Sequence, residues 1–165
     1  MSYFAAALTR TQVGWDGTEL DLGAVEDLDG LTDLLREVAG DPPAQTTLMF
    51  VEEDDEWLGI VRIDGEGDPR VFISDNRVIE VSGLARILYE EAAPIEPAEE
   101  EADEEESIKP AADPTGDVEL LADLGTASAK LLELCAEEGQ LPADITTALC
   151  ERAGCVEQLE RVREG

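Results

Sequence analysis

The chain has 165 residues, of which 41 are acidic and 11 are basic, and its formal net charge of -30 without any histidine excludes several classes of protein. A surface this acidic repels nucleic-acid phosphates, which proteins grip through lysine and arginine. The absence of histidine removes Ser-His-Asp and Cys-His nucleophile arrangements and HExxH zinc sites. No apolar run approaches the ~20 residues that span a bilayer, and the first residues lack the basic lead of a signal peptide, so we expect a cytoplasmic protein.

Residues 1–92 alternate between period-two and helical patterns, which predicts an α+β sheet domain. Residues 3–9 and 13–20 favour two strands joined as a hairpin, with Gly14 or the Asp16-Gly17 pair available for a turn with positive φ. Asp27 is a suitable N-cap for a helix that ends at Gly40. That helix would bury one apolar stripe, formed by Leu28, Leu31, Leu34, Leu35 and Val38.

Residues 46–51 and 56–63 are apolar runs that predict a second hairpin, and residues 69–74 add a further strand. Ser82 can cap a second helix that buries Leu84, Ile87 and Leu88, while residues 78–81 fit either a strand or a helix. The prediction is therefore a largely antiparallel sheet of about five strands with two helices on one face.

Residues 93–117 form an acidic block; between residues 94 and 117 there are 10 acidic residues and one lysine. This block has too few large apolar side chains to offset its ordering entropy, so it predicts a disordered, extended linker. It can serve as an acidic arm for a basic partner or as a solubilising tether, and like-charge blocks of this kind favour the tether.

Residues 118–165 predict a small segment of three or four helices. Thr126 or Ser128 can cap a helix that ends at Gly139, Pro142 suits the first turn of the next helix, and Gly154 suits its end. Val156, Leu159 and Val162 mark one face of a last helix. Helices this short bury little apolar surface, so we expect them to pack on the sheet domain or on a partner.

Several phrases of the sequence stand in the order found in one bacterial family: SYFAAALTRT, VEDLDGLTDLLRE, LMFVEEDDEWLGIVRIDG, DPRVFISD, LLADLGT and LLELCAEEGQLPAD. In these phrases, which cover both halves of the chain, the sequence resembles the tRNA adenosine deaminase-associated proteins. The family is named for a gene that lies beside the gene of a tRNA adenosine deaminase. The resemblance therefore implies a gene neighbourhood shared with that enzyme, and gene neighbourhood by itself implies neither physical contact nor a catalytic activity.

The residues predict no catalytic, cofactor or metal site. Zinc-dependent nucleobase deaminases need a His or Cys followed by x-Glu and then Pro-Cys-x-x-Cys, and the chain has neither pattern. Cys135, Cys150 and Cys155 lie on or near apolar helical stripes, so we expect buried thiols. Asp64, Glu66, Asp68 and Asp75 match the spacing of an EF-hand loop, but Pro69 replaces the required glycine and the flanks predict strands, which favours a solvated turn.

The candidate interaction residues are an acidic patch at the second hairpin turn (Glu52, Glu53, Asp54, Asp55 and Glu56) and Trp15, in a glycine-flanked turn region; several acids in an exposed turn are usually solvent-facing. Trp57 is predicted to lie in the core. The leading hypothesis is a non-enzymatic accessory protein that binds a basic protein surface through charge complementarity, with the tRNA adenosine deaminase as the partner that the resemblance suggests.

Two other interpretations remain open. The first is a small carboxylate-based enzyme or ligand-binding domain with a site between the sheet and the helices, which convergent acids in an apolar pocket would favour. The second is a homo-oligomer in which the helical half of one copy swaps onto a neighbour across the long linker.

Overall fold

A computed structural model describes residues 3–23, 25–40, 45–53, 57–64, 69–74, 83–89, 115–116, 119–136 and 141–164. In chain order these residues form β1 (Tyr3–Thr11), β2 (Gly14–Glu19), α1 (Leu28–Ala39), β3 (Thr46–Glu53), β4 (Trp57–Ile63), β5 (Arg70–Ile73), α2 (Gly83–Tyr89), β6 (Thr115–Gly116), a 3-10 turn (Ala122–Leu124), α3 (Ser128–Ala136), α4 (Pro142–Ala153) and α5 (Val156–Glu164).

The strands form one antiparallel sheet in the order β2-β1-β3-β4-β5-β6. All residues of β3 and β4 are buried, as their continuous apolar runs require. The α+β fold and its largely antiparallel sheet are thus confirmed. The two residues of β6, Thr115 and Gly116, lie within the segment that the sequence assigns to the acidic linker, and the remainder of residues 93–117 lies outside the described residues.

The two predicted helices, α1 and α2, lie on one face of the sheet. Leu31 and Leu35 of α1 and Leu88 of α2 share a core with Trp57 and other strand residues. This arrangement confirms the predicted layer and the core position of Trp57. The predicted cap Ser82, residues 78–81 and the Leu84 side chain lie outside the described residues.

The C-terminal helices cover the opposite face of the sheet. Leu131, Leu149 and Leu159, from α3, α4 and α5 respectively, share a second core with Phe50 and Phe72 of the strands. Side chains on alternate strand residues point to opposite faces, so each central strand contributes to both cores. The sequence left open whether these helices pack on the sheet or on a partner, and the structure places them on the sheet of their own chain.

Local capping signals fix both ends of α1 and of α4. The Asp27 carboxylate accepts a hydrogen bond from the Gly30 amide (2.9 Å), and Gly40 ends α1 with a φ of 88°. Pro142 occupies the first turn of α4, and Gly154 ends that helix in the left-handed region at a φ of 90°. These four predictions are confirmed.

Both predicted caps of α3, Thr126 and Ser128, are wrong, because the helix begins at Ser128 itself and Ala127 precedes it. The Thr126 amide donates to the Leu121 carbonyl, and its buried hydroxyl has no hydrogen-bond partner among the described residues. Because α3 begins at Ser128, with the Leu131 amide donating to the Ala127 carbonyl, Thr126 lies too far upstream to cap it. The predicted end at Gly139 lies outside the described residues.

The turn of the first hairpin is formed by residues 12 and 13, between the paired residues Thr11 and Gly14. Gly14 has a φ of 132°, in agreement with the prediction that it supplies positive φ at this turn. The alternative pair Asp16-Gly17 lies within β2. Gly17 is required there by close packing, since a Cβ at this position would lie 3.0 Å from the Gln158 carbonyl oxygen and 3.0 Å from Val162 Cγ2. Helix α5 therefore lies directly over the backbone of β2.

A buried arginine fastens the 3-10 turn to the sheet. Arg62 Nη1 donates to the Leu120 carbonyl (2.6 Å) and to Asp123 Oδ1 (2.6 Å), while Nη2 donates to Asp123 Oδ2 (2.9 Å). Its Nε donates to Asp64 Oδ1 (2.9 Å). The hydrogen bond to Asp123 is the main cause that holds the pKa of Arg62 above its ordinary value. One strand residue thus holds the C-terminal half by a bidentate ion pair.

Candidate interaction surface

Two residues of the predicted acidic patch, Glu52 and Glu53, are not in an exposed turn. Both belong to β3 and are buried, pairing in register with Leu58 and Trp57 of β4. The expectation that they are solvent-facing is wrong, because the strand continues two residues past its apolar run. Asp54, Asp55 and Glu56 lie outside the described residues.

Glu52 faces the C-terminal helices and forms a bidentate ion pair with Arg163 of α5. The Arg163 Nη1 and Nη2 atoms lie 3.1 Å and 2.5 Å from the two Glu52 carboxylate oxygens. The same guanidinium stacks 4.5 Å from the centroid of the Phe4 ring. The Glu52 charge is therefore compensated inside the chain and joins the end of α5 to the sheet.

Glu53 faces the opposite side of the sheet. Its Oε1 accepts a hydrogen bond from the indole N–H of Trp57 (2.9 Å), directly across the hairpin. A buried tryptophan needs an acceptor for its N–H, and the register pairing supplies one. Glu53 also lines a cleft described below.

Trp15 lies in the edge strand β2 and is half-buried against the C-terminal helical core. The Arg10 guanidinium lies 5.8 Å from its ring centroid. Trp15 pairs with Arg10 of β1, whereas Glu52 pairs with Phe4, six residues away along the same strand. At about 3.4 Å per residue, roughly 20 Å separate these two positions, so the structure does not bring the predicted site residues together.

The three cysteines are buried, as predicted. Burial raises the pKa of the Cys135 thiol to about 12, and a hydrogen bond with Cys155 together with burial raises the pKa of Cys150 above its usual range. The Cys155 amide donates to the Cys150 carbonyl (2.9 Å), a hydrogen bond that closes the C-terminal end of α4. At helix ends of this type the side chains on the two sides of the bond commonly pack together. The thiol contact is therefore part of the α4 terminus.

The EF-hand-like residue Asp64 already has partners in the chain. It accepts hydrogen bonds from Arg62 and from the Thr46 hydroxyl (3.1 Å). Glu66, Asp68 and Asp75 lie outside the described residues. In the part of the chain that the structure describes, no three Cys, Asp or Glu side chains are grouped to hold a metal ion.

Among the described residues, a run of exposed carboxylates lies outside the site that the sequence predicts. We define the acidic edge as residues 14–39, which comprise β2, α1 and their connection. This segment holds eight acidic residues and one basic residue, Arg36, and all eight acids are exposed: Asp16, Glu19, Asp21, Glu26, Asp27, Asp29, Asp33 and Glu37. The sequence predicts a possible turn at Asp16 and a helix cap at Asp27, and it predicts none of the eight as an interaction residue.

The acids of α1 follow directly from its amphipathic spacing. Asp29, Asp33 and Glu37 recur every four residues, so they share the face of the helix opposite Leu31 and Leu35. Successive carboxylates lie about 6 Å apart along the helix axis. The signal was present in the sequence, but only the apolar stripe was used to predict the helix.

An open cleft of about 580 Å³ lies between the sheet and α2. It is lined by Tyr3, Glu26, Glu53, Arg86 and apolar side chains from Leu22, Val25 and Ile87. The Tyr3 hydroxyl accepts a hydrogen bond from the Leu22 amide (2.7 Å), which joins β1 to the connection before α1. The cleft combines two carboxylates, a guanidinium and an apolar wall.

A comparison with protein-family models confirms the resemblance that the sequence phrases indicate. The model of the Rv3753c-like tRNA adenosine deaminase-associated protein family matches residues 3–156. The chain belongs to this family. No curated protein and no solved structure shows significant similarity to the chain. The family description indicates an accessory role beside a tRNA adenosine deaminase.

None of the described helices combines the length and the apolar character needed to cross a membrane.

Proposed function

We propose that this protein is a non-enzymatic, cytoplasmic accessory protein that binds a basic surface of a tRNA adenosine deaminase through the acidic edge. The observation that carries the proposal is the exposure of all eight carboxylates between residues 14 and 39, in a member of a family described as associated with that enzyme. An enzyme that handles tRNA needs a basic surface, because its affinity for phosphates comes from lysine and arginine. The two surfaces are electrostatically complementary.

The acidic edge replaces the hairpin patch as the proposed contact surface. Glu52 is paired with Arg163 and Glu53 accepts from Trp57, so both carboxylates are engaged within the chain. The carboxylates of α1 lie on a regular helix, which holds them in a fixed pattern. A fixed array of like charges steers an oppositely charged partner into one orientation and raises the association rate.

The test compares two triple variants that remove the same number of charges from different faces. The first is Asp29→Asn, Asp33→Asn and Glu37→Gln on α1. The control is Glu133→Gln, Asp144→Asn and Glu151→Gln, three exposed acids of α3 and α4 on the other side of the sheet. Both change the net charge from -30 to about -27, so long-range attraction falls equally.

Binding of each variant to the purified deaminase is measured by isothermal titration calorimetry at about 50 mM salt. Rim charges typically contribute 0.2–1 kcal/mol each, so the α1 variant should bind roughly 3- to 150-fold more weakly than the control. Equal affinities for the two variants would place the contact elsewhere. Absence of binding by the unaltered chain would refute the proposed partner.

A second candidate function is favoured by one observation, the cleft between the sheet and α2. A buried carboxylate (Glu53) and a guanidinium (Arg86) line the same apolar-walled space. A cleft that contains both signs of charge suits a small zwitterionic ligand, and it is the site between the sheet and the helices that the alternative of a carboxylate-based enzyme or ligand-binding domain requires.

The second candidate is tested by recording amide NMR spectra of the protein with a panel of free amino acids at millimolar concentration. Saturable shifts at Leu22, Val25 and Ile87 that disappear in Arg86→Met would support ligand binding. Unchanged spectra with every amino acid would exclude this ligand class.

A further inference from the structure

Strand β2 ends the sheet. It pairs with β1 on one side, and within the described ranges no strand pairs with its other side. Five of its six residues are exposed, and Trp15 is half-buried. Edge strands are commonly protected by proline, bulges or lysine. The sequence Gly-Trp-Asp-Gly-Thr-Glu has no proline and no lysine, and its register with β1 is continuous over six pairs.

The register fixes which backbone groups point outward. The Leu20 amide donates to the Ala5 carbonyl (2.9 Å), so this pair occupies a hydrogen-bonded position of the antiparallel ladder. Such positions alternate along the strands, and the two-residue turn between Thr11 and Gly14 agrees with this phase. The N–H and C=O groups of Trp15, Gly17 and Glu19 therefore point away from β1.

An extended segment that pairs with these groups would have two neighbours in the structure, helix α5 and the rest of the acidic edge. On one side of the sheet, α5 packs over Gly17 and presents Val162 beside it. Beyond the end of β2, the acidic edge continues through Asp21 and Glu26 into α1. A segment rich in lysine and arginine would gain main-chain hydrogen bonds from β2 and favourable charge contacts from Asp16 and Glu19.

A second copy of this chain fits the same edge poorly. Antiparallel pairing of two β2 strands centred on Gly17 would place Asp16 and Glu19 of both copies within one small sheet region. It would also bring two molecules of formal charge -30 together. Like charges at close approach oppose such pairing, so charge favours a basic occupant.

We propose that β2 is extended by one strand when the protein binds its partner: a basic, extended segment of the deaminase pairs with the outward backbone groups of Trp15, Gly17 and Glu19. This inference rests on the proposed function for the identity of the partner. It adds the mode of binding, in which main-chain hydrogen bonds supply affinity and the acidic edge selects a basic segment.

The first test removes one outward N–H without touching the ladder to β1. Glu19→Pro deletes the Glu19 amide, and edge strands tolerate proline at such positions. The matched control, Glu19→Gln, removes the same charge and keeps the amide. Both variants should retain a melting temperature within about 2 °C of each other, and Glu19→Pro should bind the deaminase roughly 3- to 10-fold more weakly than Glu19→Gln.

The second test needs no substitution. Amide hydrogen exchange of the unaltered protein is measured by NMR with and without the purified deaminase at about 50 mM salt. The amides of Trp15, Gly17 and Glu19 should exchange at least tenfold more slowly in the complex, while the amides already bonded to β1 change little.

The exchange experiment distinguishes strand addition by the deaminase, binding in another mode, absence of binding and pairing with a second copy. Binding without protection of the three amides overturns strand addition and leaves the proposed function standing. Absence of binding overturns both. Protection that grows with the concentration of the protein alone, without the deaminase, would show that a second copy occupies the edge and would also overturn the inference.

Discussion

Arg62→Met tests whether the buried arginine holds the C-terminal half on the sheet. The substitution keeps a long apolar side chain in the core and removes the guanidinium that reaches Leu120, Asp123 and Asp64. The carbonyl of Leu120, a fully buried residue, then loses this partner.

The magnitude follows from the exposure of each partner. The side chains of Asp64 and Asp123 are 46% and 66% exposed, so both carboxylates regain water when the arginine is removed. The loss should therefore fall below the ~3–5 kcal/mol expected when a fully buried pair is broken. The unsatisfied Leu120 carbonyl costs about 1–3 kcal/mol, and we expect the free energy of unfolding to fall by that amount.

Two assays measure the effect. Urea denaturation followed by tryptophan fluorescence reports the free energy of unfolding, because Trp57 lies in one core and Trp15 is half-buried against the other. Labelling of the three buried cysteines with a thiol reagent in native buffer reports opening of the C-terminal helices. A loss of about 1–3 kcal/mol should accelerate labelling roughly 5- to 140-fold.

Arg161→Met is the control, because Arg161 is an exposed residue of the same type on α5. It should change the free energy of unfolding by less than about 0.5 kcal/mol. If Arg62→Met unfolds at the same urea concentration as the control and its thiols react at the same rate, Arg62 does not fasten the two halves.

Three further substitutions test local features of the fold, each by urea denaturation. Gly17→Ala should lower the free energy of unfolding by about 1–3 kcal/mol, because the added methyl group would lie 3.0 Å from atoms of α5. The control Gly83→Ala has open space around it and should leave the free energy of unfolding unchanged. Equal effects of the two substitutions would contradict the close packing of α5. Asp27→Ala should cost about 1 kcal/mol by removing the cap of α1, and an unchanged midpoint would show that the cap contributes nothing. The hydrogen bond from Arg62 lowers the pKa of Asp123 in the folded protein. The unaltered protein should therefore have a larger free energy of unfolding than Asp123→Asn above about pH 4. This difference should disappear as the pH falls through the lowered pKa of the folded state. A difference that does not shrink as the pH falls below about 4 would contradict that assignment.

The elements that could be predicted from the sequence are those with local signals. The apolar spacing of α1, its cap at Asp27 and its end at Gly40 all lie within one short segment, and the structure confirms each of them. The same holds for Pro142 and Gly154 at the two ends of α4. Local propensity and the packed structure agree at these positions.

The features that sequence reasoning missed depend on distant residues. Glu52 was assigned to an exposed turn because of its charge, and the residue that allows its burial, Arg163, lies 111 positions away. The edge position of β2 follows from strand order, which no local pattern specifies. The carboxylates of α1 were readable from their four-residue spacing, and the structure adds that they, the acids of β2 and those of the connection are all exposed.

The measurement that tests the central claim most directly is the dissociation constant of the purified protein and the tRNA adenosine deaminase at about 50 mM and about 300 mM salt. The Debye length falls from roughly 14 Å to roughly 6 Å over this range, so attraction between exposed charges weakens strongly. We predict a complex at the lower salt whose affinity falls at least tenfold at the higher salt. An affinity that does not change with salt, or no complex at either concentration, would contradict recognition through the acidic edge.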